Sequence, residues 1–274
     1  MLAASRIDEV IPQENLLRCA LSRISEIGEP LLRPMNIQTS DKIVLVAGGT
    51  GGLGQAVSLA FVNAGARVVV TCRREAEFQA LKSAADGKSQ SIEGIEVDVT
   101  DVDAVEHLAD TIAEKYGRLD ALVNTVGGYA GGAPLWQIEP KTFEQMMTLN
   151  VRAGYVLSRA LVPLMLQRKT GVIINVASRA ALDHAAGAAA YAASKAAAVA
   201  MMDSLAADLY GTGVRANSIL PSLIDTEANR KAMPKADFSK WPKPEEIARV
   251  ILFLCSDDAR LIHGASLPVY GTDK

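Results

Sequence analysis

Three residues in the second half of the chain have types and spacing suited to moving a proton. Tyr191 and Lys195 stand four apart in the alanine-rich run AAGAAAYAASK, so on a helix they share one face. A phenol has a pKa of about 10 and keeps its proton at neutral pH. A lysine ammonium held beside it favours the phenolate, each tenfold gain in acidity corresponding to ~1.36 kcal/mol. Such a pair can pass a proton to or from an alcohol oxygen near pH 7. Ser178 lies thirteen residues before Tyr191 and closes the apolar run GVIINVAS, where a strand would end. Its hydroxyl is placed to hydrogen-bond the same substrate oxygen. On its own, Tyr-x-x-x-Lys equally describes a packed ring beside a solvated lysine. A strand-ending serine, the fixed interval and the helical pair together are far more specific.

A catalytic helix needs a sheet to stand on and a partner to react with, and the first half of the chain supplies both. IVLVA (43–47) is an apolar run of strand length, followed at once by GGTGGLG and the helical pattern QAVSLAFVNAG. Strand, glycine loop and helix together make a phosphate cradle, with sharp backbone turns and the N–H groups of the helix facing an anion. Two registers fit: Gly49, Gly51 and Gly54 as G-x-G-x-x-G, or Gly48, Gly52 and Gly54 as G-x-x-x-G-x-G. Thr50, Gly51 and Leu53 fall inside the loop in both. A second strand, RVVVT (67–71), ends on Cys72, Arg73 and Arg74. An acid there would serve the ribose 2′-hydroxyl of NAD. A guanidinium instead pairs with a 2′-phosphate, so the residues favour NADP(H) over NAD(H). Two solvated arginines opening a helix are the plainer alternative.

Taken together, these motifs resemble the short-chain dehydrogenase/reductase family over residues 41–271. The resemblance implies that Ser178, Tyr191 and Lys195 are catalytic. It adds Asn150, in TLNVRAGY, as a relay whose backbone carbonyl holds a water against the lysine. It places Arg73 at the position tied to NADP preference, Asp98 on the adenine amino group and Val99 beside the ring. Asn124 and Gly127 match two positions of the family's N-N-A-G motif, while Thr125 and Val126 depart from it, and Ala47 replaces the usual threonine before the glycine loop. Pro221, Ile224 and Thr226 match the segment that grips the nicotinamide carboxamide, with Ser222 in place of a glycine. Lys195 also anchors the nicotinamide ribose in this scheme.

The expected architecture is a single doubly wound α/β domain, residues 41–274, with a seven-stranded parallel sheet and helices on both faces. Further strands are expected at 119–128 and 171–178, and a strand plus a turn at 214–226, with helices over 102–116 (Asp101 as its N-cap) and 189–210. One long helix is expected to start at Pro140 and run past Leu164, and another at PEEIARVILFL. The loop 127–136, with Tyr129 and Trp136, and the residues His184, Met233 and Trp241 are expected to line a substrate pocket. Residues 227–244 read as a mobile lid. Residues 1–40 fall outside the pattern and read as an N-terminal extension, helical or flexible; five acids there argue against a targeting peptide.

Composition narrows the function classes. The 274 residues carry a net charge of −3, with no basic face for nucleic acid or an anionic membrane. No apolar run reaches the ~18 residues of a membrane span. Three cysteines without metal-like spacing suit a reducing cytoplasm, and three widely separated histidines argue against a His-based metal site. The reading is an NADP(H)-dependent oxidoreductase acting on a small carbonyl or secondary alcohol. Its alanine-rich helix, with eleven alanines in residues 185–200, would serve a homodimer or homotetramer contact as in relatives. An NAD-dependent alcohol dehydrogenase of the same fold and a non-catalytic NADP(H) sensor are the alternatives. The sensor would ordinarily lack one of the three catalytic residues, and all three are present.

Overall fold

Seven strands form one sheet in the order β3-β2-β1-β4-β5-β6-β7, every neighbouring pair parallel. The computed structural model describes residues 39–271. Residues 1–38 of the expected N-terminal extension, including Cys19, lie outside them, while Thr39 is buried and donates from its N to the Ala64 carbonyl at 3.1 Å, so it belongs with the domain. The strands are β1 (Ile43–Ala47), β2 (Arg67–Cys72), β3 (Ile92–Glu96), β4 (Ala121–Asn124), β5 (Gly171–Val176), β6 (Val214–Pro221) and β7 (Ser266–Val269). The apolar runs IVLVA and GVIINV are fully buried because a parallel sheet is covered on both faces. Successive side chains therefore feed two cores. Val44 and Val46 join Val57, Phe61 and Ile251 on one side, while Ile43, Leu45 and Ala47 join Leu108, Ile112 and Leu157 on the other.

The helices divide accordingly. On the first face lie α1 (Gly52–Asn63), α2 (Glu75–Ala84) and α8 (Pro244–Leu254); on the second lie α3 (Val102–Tyr116), α5 (Ala153–Arg168) and α6 (Ala189–Asp208). Asp101 caps α3 as expected, its carboxylate accepting from Ala104 N at 3.0 Å. Pro244 occupies the first turn of α8 with Glu245 and Glu246 beside it.

The long helix from Pro140 is present but changes geometry: α4 (Pro140–Met147) passes through a π-helical turn at Thr148–Arg152 before α5 carries it on. The fourth strand is shorter than expected because chain beyond Asn124 leaves the sheet to form a loop. The sixth is the expected strand followed by a turn, its strand ending at Pro221. The segment 227–244 contains α7 (Glu227–Ala232) and a 3₁₀ turn at Phe238–Lys240.

The sheet order reverses between β1 and β4, where the chain crosses from one face to the other. At such a point the carboxyl ends of the strands open into a crevice.

Candidate active site

The glycine loop leaves the end of β1 with Gly48 at φ +73°, a left-handed conformation suited to glycine. Gly54, one turn into α1, lies so close to the loop that a Cβ there would stand 2.1 Å from the Gly48 carbonyl oxygen. The loop is closed by Gly51 N donating to Gly48 O at 3.0 Å and by Gly48 N donating to the Thr71 hydroxyl at 2.9 Å. Leu53 is buried beneath it, and Thr226 packs its side chain over Gly52.

A cleft of about 280 Å³ runs from this loop across the strand ends, lined by Gly48, Thr50, Gly51, Arg73, Asp98, Val99 and Gly127. Asp98 accepts from Thr100 N at 2.9 Å and from the Thr100 hydroxyl at 2.7 Å, and these bonds hold its carboxyl below the usual range. Arg74 does not line the cleft; it is paired with Glu77, which does. Asn124 braces the floor by donating from Nδ2 to Asn175 Oδ1 at 3.0 Å. The two departures from the expected motifs meet in space. The Thr125 hydroxyl donates to the Ala47 carbonyl at 2.7 Å, so a hydroxyl on β4's end ties the two strands where β1 lacks one.

Gly127, at one end of the cleft lining, lies against Lys195, and Ser178 and Tyr191 stand nearby on the elements that follow β5. Ser178 follows the end of β5, and Tyr191 and Lys195 stand on α6, one turn apart. Lys195 is 5% exposed, and its Nζ donates to the Val176 carbonyl at 3.0 Å and sits 6.0 Å from the Tyr191 ring centre. Burial pushes the ammonium pKa down to about 8. The Tyr191 phenol is raised above its ordinary value, chiefly by burial, with the hydrogen-bonding Ser178 hydroxyl acting the other way. The expected lowering of the phenol by Lys195 is not seen: burial sets the direction, and the opposing influence comes from Ser178.

Asn150 lies within the π-helical turn and is buried, not solvent-facing. Its Oδ1 accepts from Gly128 N and its Nδ2 donates to Gly128 O, both at 3.0 Å; Nδ2 also donates to the Ser194 hydroxyl at 2.9 Å. Ser194 in turn donates to the Tyr191 carbonyl at 2.7 Å. A Cβ at Gly127 would lie 2.8 Å from Asn150 Oδ1 and 3.0 Å from Lys195 Nζ, so the bare backbone there lets loop, amide and ammonium converge. Tyr129, at the end of this clamped loop, packs edge-on against Tyr191 with ring centres 5.0 Å apart. Of the expected pocket residues, Tyr129 is the one shown against Tyr191. Trp136 is 83% exposed on a 3₁₀ turn and His184 is exposed in the loop before α6. Met233 ends α7, while Trp241 packs on Phe238, whose ring also carries the Arg230 guanidinium. Pro221 ends β6; Ile224 packs against the core, and Thr226 caps α7 by accepting from Asn229 N at 3.2 Å.

A family model described as short chain dehydrogenase matches residues 42–237 of this chain. The chain belongs to the short-chain dehydrogenase family. Among its relatives, the 3-oxoacyl-(acyl-carrier-protein) reductase of Thermotoga maritima is 29% identical over 238 residues, covering 84% of this chain and 96% of that protein. The D-threitol dehydrogenase of Mycolicibacterium smegmatis is 34% identical, covering 84% and 92%. Among solved structures, ElxO with NADP bound is similar with a TM-score of 0.80 at 26% identity, covering 84% of this chain and 98% of that one. A putative short chain dehydrogenase from Escherichia coli complexed with NADPH gives 0.79 at 29%, covering 86% and 99%. This short-chain dehydrogenase is thus an oxidoreductase with a seven-stranded parallel sheet.

Reading the sequence missed Ser194, Thr71 and Glu77. Ser194 and Glu77 were detectable in principle, as a serine next to Lys195 and an acid three residues after Arg74. Their partners, at Asn150 and Thr50, are distant in sequence, and nothing local marks the pairings.

Proposed function

We propose that this protein transfers a hydride between NADP(H) and a small carbonyl or secondary alcohol, with Tyr191 as the proton donor in reduction. The observation that carries the reading is the gathering of Ser178, Tyr191 and a buried Lys195 beside Gly127, which also lines the glycine-loop cleft. The cleft fits a dinucleotide. Its glycine loop approaches so closely that Gly54 admits no side chain, and Arg73 at its outer end offers a cation to a 2′-phosphate. Gly48, Thr50, Gly51, Asp98 and Gly127 would hold the remainder, with Thr226 beside the loop. The bound cofactor supplies or takes the hydride.

The chain's own residues handle the oxygen. Ser178 hydrogen-bonds the substrate oxygen and fixes its position. Tyr191, whose burial keeps it protonated at neutral pH, donates its hydroxyl proton as negative charge develops on that oxygen. Lys195, held by Val176 O, stabilises the phenolate that remains and, with a pKa near 8, can return a proton to it. Asn150 acts by clamping the Gly128 backbone and Ser194, which keeps the tyrosine's helix and the Tyr129 loop in register. Tyr129 forms an aromatic wall for the substrate.

The protein is read as a homodimer or homotetramer, through the exposed small residues of α6 (Ala193, Ala200, Ser204 and Ala207). Sedimentation equilibrium tests that state. The function is tested by following NADPH oxidation against a panel of aldehydes, ketones, diketones and quinones, and repeating it with NADH. NADPH consumption with at least one carbonyl supports the reading. No turnover across the panel, or faster turnover with NADH, counts against it.

A further inference from the structure

The outer end of the cleft holds a carboxylate where the two arginines would lead one to expect only positive charge. Glu77, in the first turn of α2, lines the cleft with Thr50, Arg73 and Asp98. Its Oε1 accepts from Arg74 Nε at 2.9 Å, and its Oε2 accepts from the Thr50 hydroxyl at 3.3 Å. It therefore ties α2 to the glycine loop and occupies one of the two cations expected to meet the cofactor. Arg74 is 76% exposed, so its pair with Glu77 is worth little by itself, but an incoming anion must break it before the guanidinium is available. Asp98, the other acid of the cleft, is turned onto Thr100.

We infer that Glu77 is a cofactor-selectivity residue: it restrains the preference for a 2′-phosphorylated nucleotide by keeping Arg74 engaged and by facing the phosphate with like charge. This rests on the reading of Arg73 as a phosphate partner. A 2′-phosphate arriving between Thr50 and Arg73 meets the Glu77 carboxylate, while the guanidinium fork that matches it is turned away. A ribose 2′-hydroxyl carries no charge, meets no repulsion and can donate to the same carboxylate. Hydrogen bonding from Arg74, with help from Thr50, holds the Glu77 carboxyl below the usual range, so it stays ionised at neutral pH.

Calorimetric titration of the full chain with NADPH and with NADH tests the inference, using the native protein, Glu77→Gln, Arg74→Ala and the double variant. Glutamine keeps the shape of the side chain and removes its charge. Glu77→Gln should lower the NADPH dissociation constant about three- to tenfold and leave that for NADH no lower. In the Arg74→Ala background the gain should be clearly smaller, because no cation is released. An unchanged NADPH-to-NADH ratio in Glu77→Gln, or a shift towards NADH, overturns the inference. The native ratio separately tests the cofactor reading. A native preference for NADH would refute that reading, whereas a gain in NADPH affinity on charge removal would still uphold the role of Glu77.

Discussion

The Lys195 ammonium is bonded to the Val176 carbonyl and faces no carboxylate among the described residues, which is why burial pushes its pKa down to about 8 from 10.5. Between those two values the unfolded chain holds a proton that the folded chain has released. Stability from this group therefore rises as pH climbs through about 8 to 10.5, and the full cost of the buried charge remains below that window. The rise is at most about 3 kcal/mol. Denaturant titrations of the native protein and Lys195→Met across that range should show the native protein gaining on the variant as pH increases. Parallel curves would mean that the ammonium is solvated. Arg73 carries a second prediction at this scale. A charge-assisted hydrogen bond to a phosphate is worth about 1.5–3 kcal/mol, so Arg73→Ala should raise the KM for NADPH roughly ten- to a hundredfold. The KM for NADH should barely move. Equal losses with both cofactors would assign Arg73 to the fold.

At the scale of elements, the regular pieces were legible because their signals are local. The run IVLVA and the helix capped by Asp101 stand where apolar spacing and capping chemistry put them. The π-helical turn was not legible. Its distinguishing residue, Asn150, is satisfied by Gly128 and Ser194, 22 and 44 residues away. From sequence alone such an asparagine looks like a solvent-facing helix residue. The glycine loop lies between these cases: its motif is visible, but not the 2.1 Å approach that forbids a side chain at Gly54. Gly54→Ala must push its methyl group against the Gly48 backbone, so the loop has to open. Titration with NADPH should show at least a tenfold loss of affinity, about 1.4 kcal/mol, with the far-ultraviolet spectrum of a folded α/β protein retained. Native affinity in that variant would show that the loop yields without consequence.

For the whole molecule, the expected doubly wound sheet came with the family resemblance, and the alternation of strands and helices along the chain agrees with it. What the pattern does not specify is which departures from a motif cancel. Ala47 and Thr125 each look like a loss in isolation, and only the assembled sheet shows the Thr125 hydroxyl reaching the Ala47 carbonyl. The pocket residues show the same limit. Tyr129 is brought to Tyr191 by a clamped loop, while Trp241 is taken up by Phe238. All of these supports converge on the phenol of Tyr191, so the most direct measurement is made there. Tyr191→Phe removes the hydroxyl and leaves the ring against Tyr129, and a general acid typically contributes ~10²–10⁴-fold to turnover. On a carbonyl that the native protein reduces, the variant should lose turnover by that order while NADPH titrates with nearly native affinity. Native turnover in Tyr191→Phe would contradict the account.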